Sequence, residues 1–161
     1  MPDLTLARVT YADPDARTLT EEVQAYYREI YGGPDDSPLT EAELTPPTGL
    51  FLLARLDDEP VGMAGWRRIE PVDALGGTRP AEVRRMYTRP AARHRGVARA
   101  LLHELERTAT AYGADVMVLS TGGVQADAVA FYRACGYTDV PPFGHWAGSP
   151  GIVCLARRLT S

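Results

Sequence analysis

The sequence feature that most constrains the fold is the segment DVMVLST, residues 115–121. It is almost continuously apolar and rich in β-branched residues, which is typical of a strand covered on both faces. The segments on either side of it carry apolar residues at three- and four-residue spacing, which indicates helices. One apolar stripe runs from Val97 to Tyr112 and the other from Ala128 to Cys135. We therefore expect a layered fold of the α/β class.

The remaining segments predict one further helix and several more strands. The helix is expected to begin after Asp13, whose carboxylate can accept hydrogen bonds from the first helical amides, and to end at Gly32. The predicted strands cover residues 4–11, 49–56, 61–69, 81–88 and 151–159. No linker or internal repeat interrupts this order, so we expect one mixed α/β domain over residues 1–161.

The composition excludes several classes of function. A formal net charge of −4 argues against nucleic-acid binding through a broad basic surface. Cys135 and Cys154 are far apart and the three histidines lack metal-ligand spacing, so we expect buried, reduced thiols and no metal site. The chain does not begin like a signal peptide, and no apolar run reaches membrane-spanning length. These patterns predict a cytoplasmic protein that binds neither nucleic acid nor membranes.

The densest group of cations in this acidic chain lies at a helix start. Arg93, His94 and Arg95 directly precede Gly96 and the helix that follows. Each cation there is unfavourable by about 0.3–1 kcal/mol, because a helix N-terminus carries partial positive charge. A bound phosphate would reverse the sign, and Gly96 and the small Ala98 would let it approach the backbone. The alternative is that the arginines simply extend into water. The sequence lacks the P-loop and GxGxxG phosphate motifs.

Three segments resemble motifs of the GNAT acyltransferases, in the same order and at similar spacing. They are AEVRRMYTRP at 81–90, RHRGVA at 93–98 and AVAFYRACGY at 128–137. The resemblance extends over nearly the whole chain. It implies the GNAT fold, in which helices flank a mixed, mostly antiparallel sheet that splays between its fourth and fifth strands. It also implies that acetyl-coenzyme A inserts into this splay as the acyl donor.

The resemblance further implies which residues contact the donor. The pyrophosphate is expected on the backbone N–H groups of residues 95–99, and the pantetheine arm beside residues 86–88 as an added strand. An N–H near Met86 would polarise the thioester carbonyl. Gln125 stands where many members carry an asparagine that contacts this arm. The full expected set is Met86, Tyr87, Thr88, Arg93, His94, Arg95, Gly96, Val97, Ala98, Arg99 and Gln125.

Acetyl transfer to an amine also needs a proton for the leaving thiolate. Tyr132 matches the family tyrosine that supplies it, whereas Phe131 is expected in the core. A phenol with a pKa near 10 suits a thiolate whose conjugate acid has a pKa near 8.5.

The general base has several candidates. Glu82 lies eleven residues before Arg93, as does the catalytic glutamate of the histone-acetylating branch of the superfamily. Alternatively, Glu82 is an exposed strand carboxylate that pairs with Arg84, since strand alternation places Glu82, Arg84 and Met86 on one face. Glu70 or a chain of water molecules could replace it.

The acceptor is expected to be a primary amine of a small molecule. In relatives, the loops corresponding to residues 32–48 and 71–80 form the acceptor wall together with the first helix. Acidic residues in the first loop would attract a cationic amine; they are Asp35, Asp36, Glu41 and Glu43. Near the C-terminus, Phe143, His145 and Trp146 either line this pocket or form a proline-stiffened connection.

We therefore expect an acetyl-coenzyme A-dependent N-acetyltransferase that works by direct transfer in a ternary complex. Two alternatives stay open: acetylation of a protein N-terminus or lysine, and a non-catalytic coenzyme A sensor. Many relatives form dimers, so a homodimer is open as well.

Overall fold

The computed structural model describes residues 3–160. The elements are β1 Leu4–Arg8, α1 Pro14–Tyr31, β2 Gly49–Leu56, β3 Glu59–Arg68, β4 Pro80–Thr88, α2 Val97–Ala111, β5 Val116–Gly122, α3 Ala126–Ala134, β6 Thr138–Asp139 and β7 Ile152–Arg158. The strands form one sheet in the order β1-β2-β3-β4-β5-β7-β6. The predicted elements are present, although β1 ends three residues early and the two-residue β6 was not predicted.

Helix α1 covers one face of the sheet. It begins as predicted, because Asp13 Oδ1 accepts hydrogen bonds from the amides of Asp15 (2.9 Å) and Ala16 (3.2 Å). It ends at Gly32, which has the left-handed φ of 78° that glycine tolerates best. Its buried side chains pack against apolar residues of β2 and β3; together they are Ala16, Leu19, Val23, Phe51, Leu53 and Met63.

Helix α2 covers the opposite face. Its predicted apolar stripe is buried, with Val97, Leu101 and Leu105 all within 1% of complete burial. Trp66 of β3 is also fully buried beneath it, and its indole Nε1–H donates to Thr108 Oγ1 at 2.9 Å. This bond satisfies the one polar group of a large core side chain. The sheet is thus sandwiched between helices, as DVMVLST predicted.

The sheet opens between β4 and β5. Every other neighbouring pair is antiparallel, whereas β4 and β5 are parallel and pair only through residues 80–82 and 116–118. Beyond Glu82 the two strands separate, so residues 83–88 have no partner on the β5 side. The fold class inferred from the motifs, including the splay between the fourth and fifth strands, is confirmed.

A β-bulge interrupts β4 inside this open region. Met63 of β3 pairs with Tyr87, and Gly65 pairs with Arg84, so β4 advances three residues where β3 advances two. Arg85 is at the bulge and has a φ of 59°. An extra residue shifts the later side chains to the other face of the strand.

The bulge corrects one expectation about side-chain direction. Met86 packs with the core on the α2 side, whereas Arg84 contacts Ser37 on the α1 side. Arg85 also turns to the α1 side, where its Nε–H donates to the Tyr11 hydroxyl at 3.0 Å. The prediction that Met86 shares a face with Glu82 and Arg84 was therefore wrong. Simple alternation cannot anticipate an inserted residue.

Two features are absent from the part of the chain that the structure describes. None of its helices is long and apolar enough to cross a membrane. No group of three or more His, Cys, Asp or Glu side chains in residues 3–160 is arranged to hold a metal ion.

Replacing Gly49 by alanine is expected to destabilise the fold strongly. A Cβ at this position would lie 1.8 Å from the backbone carbonyl oxygen of Glu43, so the main chain itself must move. We expect a loss of about 3 kcal/mol of unfolding free energy, measured by chemical denaturation. Gly148→Ala is the control, because no described residue other than its two neighbours in the chain has an atom within 4 Å of the new Cβ. Equal unfolding midpoints for the two variants would contradict this packing.

Candidate active site

The separation of β4 and β5 creates a large cleft in the described part of the chain. It has a volume of about 1240 Å³ and is lined by β4, the start of α2, the end of β5 and α3. Pockets for single small ligands are usually about 300–1,000 Å³. The cleft therefore has room for one extended ligand, or for two ligands that meet.

The N-terminus of α2 opens into this cleft without a cap. Its N-cap residue is Gly96, with a φ of 80°, and within the described residues no side chain caps the helix. The first amide with a helical hydrogen bond is that of Ala100, which donates to the Gly96 carbonyl at 3.0 Å. By contrast, Asp13 caps α1. A helix N-terminus with bare amides is an anion-binding site, so α2 is suited to a phosphate group where α1 is not.

Most of the predicted phosphate-binding residues border the cleft. The residues of this group that line it are Arg93, His94, Gly96, Val97, Ala98 and Arg99. Arg95 is exposed and lies outside the lining. His94 has a φ of 65°, which turns the loop sharply just before the helix. Apart from Gly96 and its two neighbours in the chain, no residue of the described structure has an atom within 4 Å of where a Cβ on Gly96 would lie, so the approach to the backbone is open.

Strand β4 forms one wall of the cleft. Met86, Tyr87 and Thr88 all line it, in the part of β4 that has no partner on the β5 side. The hydroxyl of Thr88 is buried and has no hydrogen-bond partner among the described residues. Strand edges of this kind accept an extended ligand as an added strand.

Tyr132 reaches the cleft from α3. Its side chain is buried, and its ring lies edge-on to Phe131 at 5.2 Å and to Tyr137 at 5.8 Å. Burial, followed by the nearby Tyr27, raises the pKa of Tyr132 well above that of an exposed phenol. The hydroxyl is therefore protonated throughout the neutral range, as a proton donor must be, although it is a weaker acid than the sequence alone suggested. Phe131 is half-buried against the core, as predicted.

Glu82 also lines the cleft, but it is not the exposed carboxylate that one alternative required. Its side chain is only 12% exposed. The nearest cation is Arg67, whose Nε–H donates to Glu82 Oε1 at 3.0 Å, whereas Arg84 Nη1 is 3.8 Å away. The expected pairing with Arg84 is thus secondary to a contact with Arg67, the residue opposite Glu82 on β3. Glu70 is exposed at the edge of the same cleft.

The acidic loop provides less free negative charge than the sequence predicts. Asp35 pairs with Arg85, and Glu43 contacts Arg67 at 2.5 Å. Although burial alone would raise the pKa of Asp35, hydrogen bonds from Ser37 and the charge of Arg85 hold it below its usual value. Two of the four acids are therefore neutralised by arginines of the sheet, so the attraction of this loop for a cationic amine is weaker than the sequence predicts.

Sequence comparison places this geometry in a known family. The chain matches the acetyltransferase (GNAT) family over residues 16–137, which include β4, the α2 N-terminus and Tyr132. The chain belongs to the GNAT acetyltransferase family. The prediction of an N-acetyltransferase from three short motifs is thereby confirmed.

Individual GNAT relatives match the chain over almost its full length. An IAA acetyltransferase from Azospirillum brasilense is 33% identical over 159 residues, which is 99% of this chain and 100% of the relative. Among solved structures, a Klebsiella pneumoniae protein assigned as an acyl-CoA N-acyltransferase has a TM-score of 0.78 and 25% identity, and 98% of each chain is covered. A GNAT acetyltransferase from Elizabethkingia anophelis, solved with acetyl-CoA bound, has a TM-score of 0.66 and 16% identity, with 97% and 98% covered. An acyl-coenzyme A donor is confirmed at the level of the family.

Gln125 lies at the edge of the GNAT cleft, where the pantetheine contact was expected. It is the N-cap residue of α3, and its Nε2 donates to the Tyr31 hydroxyl at 2.8 Å. That bond fixes the amide with its carbonyl oxygen available as an acceptor. The side chain of Gln125 is longer than that of the asparagine that many family members carry here, and this length allows it to reach α1.

The far end of the cleft is narrowed by two loops. Phe143, His145 and Trp146 all line it. This favours the interpretation that they line the acceptor pocket over that of a proline-stiffened connection. His145 Nε2 lies 3.3 Å from Asp36 Oδ1 and so joins the C-terminal loop to the loop after α1. No local sequence pattern indicates this contact, because the two residues are 109 positions apart.

Proposed function

We propose that the protein transfers the acetyl group of acetyl-coenzyme A directly to a primary amine of a small molecule. The observation that carries this proposal is the coincidence of two features in one cleft: a β4 edge without a partner and the uncapped N-terminus of α2. Together they offer a backbone edge for an extended arm and bare amides for a diphosphate.

The residues present fit the donor. The N–H groups of residues 96–99 and the guanidinium groups of Arg93 and Arg99 supply charge-assisted hydrogen bonds for the pyrophosphate. Met86, Tyr87 and Thr88 offer backbone groups to the pantetheine arm, and Gln125 offers its free carbonyl oxygen. Acetyl-coenzyme A, when bound, supplies the activated acyl group. The cleft volume of about 1240 Å³ leaves space for a second, smaller ligand.

Three chain groups support the chemistry of transfer. The backbone N–H near Met86 would stabilise the developing oxyanion. Tyr132, which stays protonated because of its burial, would donate the proton to the leaving thiolate. Glu82 would accept the proton of the amine, directly or through water, since its carboxylate lines the cleft although Arg67 binds one of its oxygens.

The shape of the far end favours a small acceptor. The contact between His145 and Asp36 closes part of the opening between the two loops. An amine on a folded protein surface would have to displace these loops, whereas a small amine can enter the cleft without doing so.

Acetyl-coenzyme A is expected to raise the melting temperature, because only the native state carries the site. A ligand at 100 times its dissociation constant adds about 2.7 kcal/mol to the unfolding free energy. For a chain of this size, that corresponds to an increase of about 5–10 °C by differential scanning fluorimetry. No shift at millimolar ligand would contradict the proposal.

Release of the coenzyme A thiol across a panel of amines then tests catalysis. The chain contains no lysine, so the thiol signal cannot come from acetylation of its own lysine side chains. Donor binding without thiol release from any amine would favour a non-catalytic binding role.

A further inference from the structure

Arg84 is a buried cation at the acceptor end of the cleft. The residue is 7% exposed and lines the cavity on the α1 side of β4. Its guanidinium donates to the Ser37 hydroxyl and, at 3.4 Å, to the Pro38 carbonyl. Neither partner carries a negative charge.

The nearby carboxylates are already bound by other arginines. Arg67 contacts both Glu43 and Glu82, and Arg85 pairs with Asp35. The two carboxylates nearest to Arg84, those of Asp35 and Glu82, lie 3.8 Å away, which is within ion-pair distance but beyond hydrogen-bonding distance.

Arg84 and Arg85 therefore differ in how their charges are balanced. Burial lowers the pKa of Arg84, whereas the effect of burial on Arg85 is outweighed by Tyr11 and Asp35, which raise its pKa. Among residues 3–160, no carboxylate forms a hydrogen bond with Arg84. Arg84 shares its two nearest carboxylates with Arg67 and Arg85, so a ligand anion that hydrogen-bonds to it directly would stabilise this buried cation further.

The cleft that Arg84 lines also contains apolar and aromatic side chains. Six of them line it: Tyr26, Tyr27, Ile69, Val72, Phe143 and Trp146. The bulge turns Arg84 to the α1 side and Met86 to the α2 side. The anion that Arg84 can bind is thus on the acceptor side, away from the α2 N-terminus that suits the donor diphosphate.

We infer that Arg84 binds a carboxylate of the acceptor, and that the acceptor is an amino acid with an apolar or aromatic side chain. This inference rests on the proposed acetyl transfer to a small amine. The planar guanidinium would bind the carboxylate through two parallel hydrogen bonds. The apolar wall would receive the side chain while the amine faces the thioester.

The first test compares matched acceptors with the wild-type protein. Phenylalanine and leucine are each compared with their carboxamides, which have the same side chain and amine but no negative charge. We expect kcat/KM to be about 50-fold higher for the free carboxylates, mainly through a lower KM. Intrinsic reactivity opposes this preference, because the amine of a carboxamide is less basic and more of it is neutral. Equal or higher values for the carboxamides would overturn the inference, and this comparison needs no variant.

The second test removes the charge. Arg84→Gln is expected to reduce the carboxylate preference from about 50-fold to about 1, whereas Arg84→Lys retains part of it. A purely structural role for Arg84 would lower activity on both acceptors alike and leave their ratio unchanged. Arg68→Gln is the matched control, since Arg68 lies on β3 outside this cleft and donates to the Tyr112 carbonyl. The ratio of kcat/KM for the carboxylate to kcat/KM for the carboxamide should be the same in Arg68→Gln as in the wild type.

The outcomes separate this inference from the proposed function. Acetylation of amines without a carboxylate preference would overturn the role of Arg84 and leave the proposed function standing. Acetylation of none of the amines, with acetyl-coenzyme A bound, would overturn both. Donor affinity, measured by thermal shift, should be the same in Arg84→Gln and wild type, because Arg84 lies on the acceptor side.

Discussion

Replacing Tyr132 by phenylalanine is expected to lower kcat about 1,000-fold and to leave the affinity for acetyl-coenzyme A nearly unchanged. The change removes only the hydroxyl, while the ring keeps its edge-on contacts with Phe131 and Tyr137. The leaving thiolate would then lack its proton donor, although the proposed coenzyme A site at the α2 N-terminus would be intact. Single-turnover thiol release measures the chemical step, and isothermal titration measures donor affinity.

Tyr137→Phe is the matched control for this experiment. Tyr137 is also buried on the same segment, but its hydroxyl donates to Glu106 Oε2 at 2.7 Å. Removing it should cost about 1.5 kcal/mol of unfolding free energy and leave kcat within a factor of two. If both variants lost turnover equally, or if Tyr132→Phe weakened donor binding as much as catalysis, Tyr132 would be a structural residue and not the acid.

The elements that carry the proposed donor site could be predicted from the sequence because each depends on local signals. Apolar residues at helical spacing define α2 and α3, and the continuous apolar run of β5 requires helices on both faces. The position of Gly96 beside a cationic cluster indicates an open helix N-terminus, and the structure has one. Periodicity and cap residues act within a few positions, so one sequence is sufficient to identify them.

The charge pairing on the acceptor side could not be predicted, because it depends on contacts between distant residues. Arg85 occupies the bulge with a positive φ, and no glycine marks the position. Without the bulge, Arg84 and Arg85 would be assigned to opposite faces, and their pairing with the loop after α1 would be missed. The acidic loop was therefore interpreted as an attractive surface, whereas Asp35 and Glu43 balance arginines that are 50 and 24 positions away.

Replacing Ala98 by glutamate is expected to weaken acetyl-coenzyme A binding about 1,000-fold while slightly stabilising the free protein. Ala98 is the second residue of α2 and lines the cleft. A carboxylate there repels the diphosphate and competes for the same amides, which at about 4 kcal/mol accounts for the expected loss. The same charge interacts favourably with the helix N-terminus and should add about 0.5 kcal/mol to the unfolding free energy.

Ala111→Glu is the matched control, and its expected effect on stability has the opposite sign. Ala111 is the exposed last residue of the same helix, so the same substitution places a negative charge where the helix already carries partial negative charge. Stability should fall by about 0.5 kcal/mol, and donor affinity should be unchanged. Of these two variants, Ala98→Glu is expected to be the more stable and also the one that fails to bind acetyl-coenzyme A. A diphosphate held at the α2 N-terminus accounts for this combination. If Ala98→Glu bound acetyl-coenzyme A as tightly as the wild type, the donor would have to lie elsewhere, and the roles proposed for Arg93 and Arg99 would be lost with it.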